Sequence, residues 1–536
     1  LDTETLDATF YDGMVLDRSY QDGTETNGLP GRASGYALGG TSSVSSATYG
    51  YDTTGRLSTV SDGTDTFTYG YETDSNLLAT LEGPVHAVEY SYESNRDLMT
   101  TVDNKAPDLS GSTVSNYGYT YDALGRRDDR IQSGSAINTA STDDFAYNSR
   151  SEVIGSSNDT ETATVWNPTF DYDKIGNRKS STGFQPVSAY TANELNQYTG
   201  LDSTTPDHDL DGNLIDDGGN WTYAWNNENR LSSATNGTVT INFTYDYQGR
   251  LVKKDDGTDV EVYVYDGWNR IASFDVGSST FDVQRSYLWG MDLSGAMQGA
   301  GGVGGLLSES EFSNGQISNQ RYALYDANGN IMQKLDGTGA VQMSVDYDPF
   351  GNIIDGVLVG EYGFSTKPLI ADLNWYYYGF RYYDPATGRW PSRDPIEEVG
   401  GINNYGLVKN DAINRIDLLG LCPAGYNFVG FGWNGPINGT LTQTVTVTGT
   451  ITQTKGLNTG GIGKCRSCQQ KKKCKVDVQF TNYQEEGRVC QNPSTFDVII
   501  QNTGKTRGQR TPGNPYNCKN DGKPFDCQSW NPCCLA

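Results

Sequence analysis

The sequence predicts an all-β protein: one long, spiralling antiparallel sheet of hairpins, closed by a compact plug and followed by a small β-rich domain. Three observations lead to this fold class. Gly and Tyr are abundant, with 64 and 35 copies in 536 residues, which is typical of short strands joined by tight turns. A short Tyr-Asp unit recurs at intervals of about 20–29 residues. Its evenly spaced aromatic residues argue against a disordered chain, although only 35% of the residues are hydrophobic.

Composition divides the chain into four predicted segments. Residues 1–44 are a lead-in that we expect to join the same sheet, residues 45–355 hold the repeats, residues 356–421 form the plug, and residues 422–536 form the C-terminal domain. This last segment carries 13 Lys and Arg against 6 Asp and Glu, whereas the preceding part of the chain carries 26 against 60. The acidic body could hold the basic tail by Coulomb attraction, or its charge could simply keep a large body soluble.

Each repeat consists of an aromatic residue, any residue, Tyr-Asp, two or three further residues, Gly or Asn, Arg or Asn, and an aliphatic residue. The clear copies are YGYDTTGRL at 49–57, YTYDALGR at 119–126, FDYDKIGN at 170–177, FTYDYQGRL at 243–251, YVYDGWNRI at 263–271, YDANGNI at 325–331 and YDPFGNI at 347–353. Degenerate copies centre on Tyr69, Tyr90, Tyr147, Tyr190 and Trp225.

One repeat is expected to fold as a hairpin. The first aromatic residue and the Tyr lie two positions apart, so both rings point to the same face of a strand. The Asp ends the strand because its side chain bonds nearby backbone N–H groups, and the Gly or Asn supplies the positive φ of the turn. Since a lone hairpin is marginal in water, the repeats must lie side by side, with stacked Tyr rings on one face.

These repeats resemble the YD repeats of bacterial Rhs proteins, of the C subunits of insecticidal Tc toxins and of the teneurin shell. The resemblance extends over roughly residues 45–421 and rests on a dozen copies in register. It implies a hollow β-shell that encloses a C-terminal polypeptide.

Two stretches of the body could be mistaken for ligand sites. Residues 207–213 (DHDLDGN) resemble the first half of a calcium loop, but Ile and Gly stand at its ninth and twelfth positions, so we interpret it as a divergent repeat turn. The Gly-rich stretch 299–305 lacks the Gly-Lys-Ser/Thr of a phosphate loop and is expected to be a flexible loop between hairpins. The two histidines, His86 and His208, are expected to be ordinary surface or turn residues.

Residues 376–421 hold the densest aromatic cluster of the chain, an Arg-Asp-Pro turn and a Gly-Leu ending. They resemble the core domain that closes the YD array in Rhs proteins. The matching residues are Tyr377, Tyr378, Arg381, Tyr382, Tyr383, Asp384, Pro385, Gly388, Arg389, Trp390, Arg393, Asp394, Pro395, Gly401, Asn403, Tyr405, Asn410, Ile416, Asp417, Gly420 and Leu421.

The resemblance implies an intramolecular aspartyl protease that cuts just after the terminal Gly-Leu and frees the tail. By motif position, Asp394 and Asp417 are the implied carboxylates, Arg393 is a supporting cation, and the scissile bond joins Leu421 to Cys422. Two nearby carboxyls push their pKa values apart, so one ionised Asp can take a proton from water while a protonated Asp polarises the peptide carbonyl. The alternative is that both side chains only cap turns.

One residue departs from the family pattern. The family ending is typically Asp-Pro-x-Gly-Leu, whereas Leu418 stands here in place of the Pro. Because Pro would fix φ beside Asp417, Leu leaves this backbone freer, and the tail could stay covalently attached. The aromatic residues 375–383 are expected to pack the plug against the sheet rather than to bind a ligand.

The C-terminal domain is predicted to be β-rich, with strand candidates at 440–454, 476–483 and 496–501. All nine cysteines lie here, which favours disulfides in an oxidising compartment over a zinc site, and Cys422 is the candidate for the unpaired thiol. The disulfide candidates are Cys465, Cys468, Cys474, Cys490, Cys518, Cys527, Cys533 and Cys534. Lys471–Lys473 could contact nucleic acid or anionic lipid, or could be an ordinary surface turn.

Two functions are open at this point. The first is a secreted Rhs-type toxin, which holds its own C-terminal domain as cargo, releases it by autoproteolysis, and has an immunity protein or a secretion system as partner. The alternative is a structural or adhesive protein of the cell surface, whose permanently attached, disulfide-stapled tail contacts neighbouring surface proteins. Both functions are extracellular. No cofactor or metal is expected, and no apolar run approaches the roughly 20 residues of a membrane span.

Overall fold

The fold comes from a computed structural model, which describes residues 3–6, 11, 13–25, 28–39, 43–277, 281–421 and seven strands of the tail. Two compact units make up the chain. Residues 1–430 with 490–498 form the larger unit, and residues 431–489 with 499–536 form the smaller one.

The larger unit begins with a 14-stranded antiparallel sheet, the first sheet, in which each strand pairs with its neighbours in sequence. Its strands are Thr3–Thr5, Val15–Tyr20, Ala33–Gly39, Ser43–Tyr51, Leu57–Ser61, Thr66–Tyr71, Leu78–Glu82, Ala87–Tyr92, Met99–Ala106, Ser112–Tyr121, Arg127–Ser133, Ser141–Tyr147, Val153–Asp159 and Thr164–Trp166.

A second 14-stranded antiparallel sheet follows after two isolated hairpins. The hairpin strands are Phe170–Tyr172 with Arg178–Ser181 and Tyr190–Ala192 with Tyr198–Leu201. The strands of the second sheet are Asp207–His208, Leu214–Asp216, Thr222–Trp225, Leu231–Thr235, Thr240–Tyr245, Leu251–Asp255, Val260–Asp266, Asn269–Val276, Phe281–Trp289, Leu306–Ser313, Gln316–Tyr325, Ile331–Asp336, Val341–Tyr347 and Ile353–Gly356.

The prediction of an all-β antiparallel array is therefore confirmed, but the single continuous sheet is interrupted three times. A proline lies at each interruption: Pro168 before the first hairpin, Pro186 between the hairpins and Pro206 before the second sheet. Because proline has no N–H to donate, it cannot take part in the hydrogen-bond ladder of a central strand.

The repeats form the predicted hairpins, and in six of the seven clear copies the Asp caps its turn, whereas Asp266 accepts a hydrogen bond from Arg18 Nε at 2.7 Å instead. In the repeat at 243–251, Asp246 Oδ1 accepts hydrogen bonds from the N–H groups of Gln248 and Arg250, both at 2.9 Å, and Asp246 Oδ2 accepts one from Arg250 Nε at 2.7 Å. Gly249 supplies the positive φ, +85°. The same capping recurs at Asp52, Asp122, Asp173, Asp326 and Asp348.

The tyrosine before each Asp joins its repeat to the preceding one. Tyr265 Oη donates a hydrogen bond of 2.7 Å to the carbonyl of Leu251, the first residue of the return strand in the preceding hairpin. The guanidinium of Arg250 lies over the Tyr265 ring, 5.3 Å from its centroid. We call this row of bonds the tyrosine ladder. Its other members include Tyr51, Tyr71, Tyr121, Tyr147, Tyr172, Tyr245, Tyr325 and Tyr347.

The two large sheets pack face to face through a shared hydrophobic core. Leu16, Val60 and Phe67 of the first sheet are buried in one cluster with Phe274 and Ile331 of the second. Hydrogen bonds also join the sheets directly, in the pairs Tyr36–Tyr287, Asn104–Tyr325, Tyr117–Gln333 and Arg130–Asp346. This part of the chain is therefore a two-layer body, and enclosure of a further polypeptide stays a prediction.

The closing segment, residues 356–421, has little regular structure. Its strands are Leu369–Ile370, Trp375–Tyr377 and Tyr382–Tyr383, and its 3₁₀ helices are Phe364–Thr366, Glu397–Val399 and Val408–Asn410. As expected, its aromatic residues pack against the body. Trp375 stacks on Tyr223 with 4.7 Å between ring centroids, and Tyr383 Oη donates to the carbonyl of Phe350 at 2.7 Å.

The tail is β-rich in its described part, as predicted. Its strands are Asn427–Trp433, Leu441–Thr450, Lys471–Phe480, Tyr483–Gln491, Val498–Gly508, Asn517–Asn520 and Lys523–Asp526. Lys471–Lys473 therefore begin a strand. The cysteine side chains lie outside the described structure, so the disulfides stay a prediction.

Candidate active site in the closing segment

Arg381 is the central side chain of the closing segment. It lies in the turn between the strands Trp375–Tyr377 and Tyr382–Tyr383, and the aromatic residues on either side pack against the body. The guanidinium lies over the ring of Trp390, 4.2 Å from its centroid, and only 3% of the residue is exposed. A buried cation needs polar partners, and they come from elsewhere in the same segment.

The partners of Arg381 are the two carboxylates that the sequence singled out. Arg381 Nη2 donates to Asp394 Oδ2 at 2.8 Å and lies 3.6 Å from Asp417 Oδ2. Both aspartates are buried, with 8% and 5% of their surface exposed. The fold thus brings together two residues that lie 23 positions apart in the sequence, which spacing alone could not establish.

The end of the closing segment, at Gly420 and Leu421, is held against this pair. Asp417 Oδ1 accepts hydrogen bonds from the N–H groups of Gly420 at 2.7 Å and Leu421 at 3.1 Å. Arg381 Nε donates to the carbonyl of Gly420 at 2.7 Å. Asp417 is therefore fixed in place although Leu418 replaces the proline of the family pattern. Cys422 lies outside the described residues.

Lys367 provides a second buried cation at the site. Its Nζ donates to the carbonyl of Leu418 at 2.6 Å and to that of Gly301 at 2.8 Å, and burial lowers its pKa to about 8. The Gly-rich stretch around Gly301 also contributes to the site: Ala300 is buried, and its N–H donates to Asp292 Oδ2 at 2.6 Å. The expected flexibility of this stretch stays a prediction.

The electrostatics of the pair favour a shared proton. Burial raises the pKa of both Asp394 and Asp417, and Arg381 offsets only part of this effect. The charge of Asp417 raises the pKa of Asp394 further. A pair of carboxyls in this position can therefore hold one proton between them at a higher pH than two exposed aspartates would.

Arg393 does not occupy the position that motif matching gave it. Its side chain is exposed and lies beside Gly212 and Tyr405, whereas the guanidinium that contacts both carboxylates is that of Arg381. The sequence did carry a signal for Arg381. It is a single cation inside a run of aromatic residues, so burial with an anionic partner was to be expected. No sequence signal pointed to Lys367.

The remaining candidate residues are structural. Asp209 caps the turn at 207–213 by accepting from the N–H of Asn213 at 2.8 Å, which confirms a repeat turn. His208 is half-buried, and its ring lies against Tyr405 with 6.1 Å between centroids. His86 is a turn residue, as one of the two expectations had it, since its carbonyl accepts from the N–H of Gly83 at 2.8 Å in the hairpin turn; its ring is buried, with 1% of the residue exposed.

Within the described ranges, no group of three or more His, Cys, Asp and Glu is arranged to hold a metal ion. The same part of the chain contains no helix of the length and apolarity needed to cross a membrane.

The chain resembles known proteins over parts of its length, although no protein-family model matches it. It is 27% identical over 264 residues to the tRNA3(Ser)-specific nuclease WapA of Bacillus spizizenii. This alignment covers 46% of this chain and 10% of the relative. It is 36% identical over 110 residues to toxin subunit YenC1 of Yersinia entomophaga, which covers 19% of this chain and 11% of the relative. The chain thus spans about a tenth of the length of these curated relatives.

The fold has solved counterparts as well. A crystal structure of TcdB2-TccC3-Cdc42 superimposes with a TM-score of 0.56 at 16% identity, covering 76% of this chain and 20% of the solved one. An array of Tyr-Asp hairpins closed by an aromatic segment defines a class of β-hairpin repeat proteins. Together with these likenesses, it identifies the chain as a YD-repeat protein of the Rhs type.

Proposed function

We propose that the chain is part of an Rhs-type polymorphic toxin, in which the closing segment acts as an intramolecular aspartyl protease and releases residues 422–536. The likeness to a toxin subunit and to a nuclease supports the toxin class. One observation carries the protease: Arg381 contacts Asp394, Asp417 and the carbonyl of Gly420, one residue before the bond to be cut.

The proposed reaction is hydrolysis of the peptide bond between Leu421 and Cys422. The ionised carboxylate of the Asp394–Asp417 pair takes a proton from a water molecule, and the water oxygen attacks the carbonyl carbon of Leu421. The protonated carboxyl donates its proton to the carbonyl oxygen as the tetrahedral intermediate forms. The carboxyl that received the proton from water then passes it to the nitrogen of Cys422 as the C–N bond breaks, and the proton on the former carbonyl oxygen returns to the other carboxylate, so that Leu421 becomes a new carboxyl terminus.

The neighbouring side chains position this reaction. The hydrogen bonds from Gly420 and Leu421 to Asp417 hold the backbone beside the carboxylates, and Lys367 fixes the carbonyl of Leu418. Positioning of this kind lowers the activation barrier of hydrolysis because the reacting groups are already held in a reactive orientation. Arg381 keeps the two acidic groups together despite their mutual repulsion.

The proposal also implies partners and a location. The released domain is the cargo of the YD-repeat body. Further partners would be subunits of a toxin complex, an immunity protein in the producing cell, and a secretion system, and the site of action would be outside that cell. The likeness to toxin subunit YenC1 supports membership of a complex.

Denaturing intact-mass measurement on the purified chain tests the reaction. We expect two fragments separated after Leu421 in the parent and one full-length chain in Asp394→Asn, with Asp417→Asn behaving likewise. A single full-length chain in the parent and in both variants would refute self-release. The structural or adhesive function, with a permanently attached tail, would then be favoured.

A further inference from the structure

The segment to be cleaved also contacts a loop of the body. Residues 290–305, here called the glycine loop, connect the strands Phe281–Trp289 and Leu306–Ser313, which pair in the second sheet. Gly301 of this loop lies directly against Leu418, because a Cβ added to the glycine would meet the Leu418 carbonyl oxygen at 2.7 Å and the Leu418 Cβ at 3.0 Å. Only a residue without a side chain therefore fits at this contact.

The glycine loop and the closing segment are also joined by hydrogen bonds. Lys367 Nζ donates to the carbonyl of Gly301 at 2.8 Å and to that of Leu418 at 2.6 Å, and only 4% of the lysine is exposed. Beside the lysine in sequence, Thr366 Oγ1 accepts from the N–H of Gly304 at 2.7 Å. The loop therefore contacts both Leu418 and the part of the chain that carries its hydrogen-bond donor.

A buried carboxylate organises the glycine loop from within. Asp292 Oδ2 accepts hydrogen bonds from the N–H groups of Ala300 at 2.6 Å and Gly302 at 3.1 Å, on either side of Gly301. Asp292 Oδ1 accepts a further bond from the N–H of Ser294 at 3.0 Å. Gly301 itself has a φ of +61°, which glycine adopts without strain. These bonds determine where the loop meets Leu418.

Three consecutive carbonyls of the segment to be cleaved, those of residues 418, 419 and 420, each accept one hydrogen bond from the body of the closing segment. The donors are Lys367 Nζ at 2.6 Å, the N–H of Phe380 at 3.1 Å and Arg381 Nε at 2.7 Å. Leu418 lacks the fixed φ of a proline, so outside contacts must restrict its backbone. A shift of the glycine loop would move the first carbonyl relative to the third and would turn the peptide bond that follows.

We propose that the glycine loop is a positioning element for self-cleavage, in which Asp292 and Gly301 hold Leu418 and so orient the bond to be cut toward the carboxylate pair. This inference rests on the proposed function, since it concerns the same reaction. The loop supplies no reacting group. Because it connects two paired strands of the second sheet, the site is complete only when those strands have formed, and release of the tail waits for the folded body.

A time course of intact mass on the full chain tests the proposal. Gly301→Ala should slow cleavage after Leu421 by about tenfold or more, because the new Cβ displaces the Leu418 backbone, and a displacement on the order of 1 Å can cost about 10²-fold in rate. The matched control is Gly295→Ala in the same loop. Its φ is a similar +73°, and an added Cβ meets nothing within 4 Å, so cleavage at the rate of the parent is expected.

Hydrogen exchange distinguishes positioning from a general loss of stability. The measurement uses Asp394→Asn as the common background, so that chains of the same length are compared. In this background, Gly301→Ala should speed exchange of the Gly420 and Leu421 amides, which donate to Asp417, by about tenfold. Exchange in the strands of the second sheet should stay unchanged. A merely structural role of the glycine would speed exchange throughout that sheet.

Two results would overturn the proposal and leave the protease standing. One is cleavage of Gly301→Ala at the rate of Gly295→Ala, and the other is faster exchange throughout the second sheet. A parent chain that does not cleave would refute the protease itself, and this inference with it. Asp292→Asn keeps the test falsifiable if Gly301→Ala fails to fold, because its amide nitrogen cannot accept the backbone bonds. Cleavage at the rate of the parent in Asp292→Asn would also overturn the proposal.

Discussion

A single guanidinium decides the geometry of the closing segment. Arg381 contacts Asp394 and Asp417 and also donates to the carbonyl of Gly420. Lysine could not reproduce this arrangement, because an ammonium group is a point charge without the planar set of donors. Arg393 is exposed and lies next to Asp394 in sequence, so a lysine substitution there is the matched control for the same substitution at Arg381.

We expect Arg381→Lys to slow cleavage after Leu421 by about tenfold or more, since hydrogen bonds to charged groups contribute roughly 1.5–3 kcal/mol each. Arg393→Lys should cleave at the rate of the parent, because its side chain is exposed beside Gly212. A time course of intact mass measures both. Slow cleavage in Arg393→Lys and normal cleavage in Arg381→Lys would return the supporting role to Arg393.

The hairpin is the unit of the body, and its side chains act in pairs. The Asp caps its own turn, and the Tyr beside it bonds the hairpin before it. Each repeat therefore depends on its neighbour for the stability of its turn as well as for its strand pairing. This explains why a repeat of so few fixed residues suffices to specify the register of a long sheet.

Tyr265→Phe tests the tyrosine ladder at one buried position. It removes the hydrogen bond to the Leu251 carbonyl, and we expect the free energy of unfolding to fall by about 1–3 kcal/mol because the buried acceptor loses this donor. Tyr247→Phe, on an exposed ring, should change it by less than about 0.5 kcal/mol. Urea titrations of both variants supply the comparison. Equal effects would show that the ladder bond contributes nothing.

At the scale of the whole larger unit, the contact between the two sheets stabilises the fold. His86 lies at this contact, with its ring centroid 6.0 Å from those of Phe67 in the first sheet and Tyr322 in the second. Burial lowers its pKa to about 4, so the folded protein keeps this ring neutral. The unfolded chain binds a proton there near pH 6.5, and the sheet contact therefore weakens as the pH falls below that value.

His86→Leu should remove this acid sensitivity. Between pH 7 and pH 5 the parent should lose about 2 kcal/mol more unfolding free energy than the variant, by linkage from a pKa of 6.5 unfolded to about 4 folded. Both proteins retain His208, so their difference isolates His86. Urea titrations at the two pH values provide the measurement, and parallel losses in both proteins would contradict the assignment.

The structural features that depend on local periodicity could be predicted from the sequence. The hairpins, their capping Asp residues and the aromatic packing of the closing segment follow from neighbouring residues. The sheet interruptions lie at Pro168, Pro186 and Pro206, which are not part of the repeat pattern, so periodicity alone could not predict them. The roles of Arg381 and Lys367, and the burial of His86, depend on contacts between distant segments, and no spacing rule could supply them.

The tyrosine ladder gives the array a direction. Every bond runs from a later hairpin to a carbonyl in the one before it, as from Tyr265 to Leu251. A chain that emerges from the ribosome with its amino end first would always present the acceptor before the donor arrives. The body can therefore assemble vectorially during translation, one hairpin at a time. Asp394 and Asp417 of the closing segment would be added after the last hairpin.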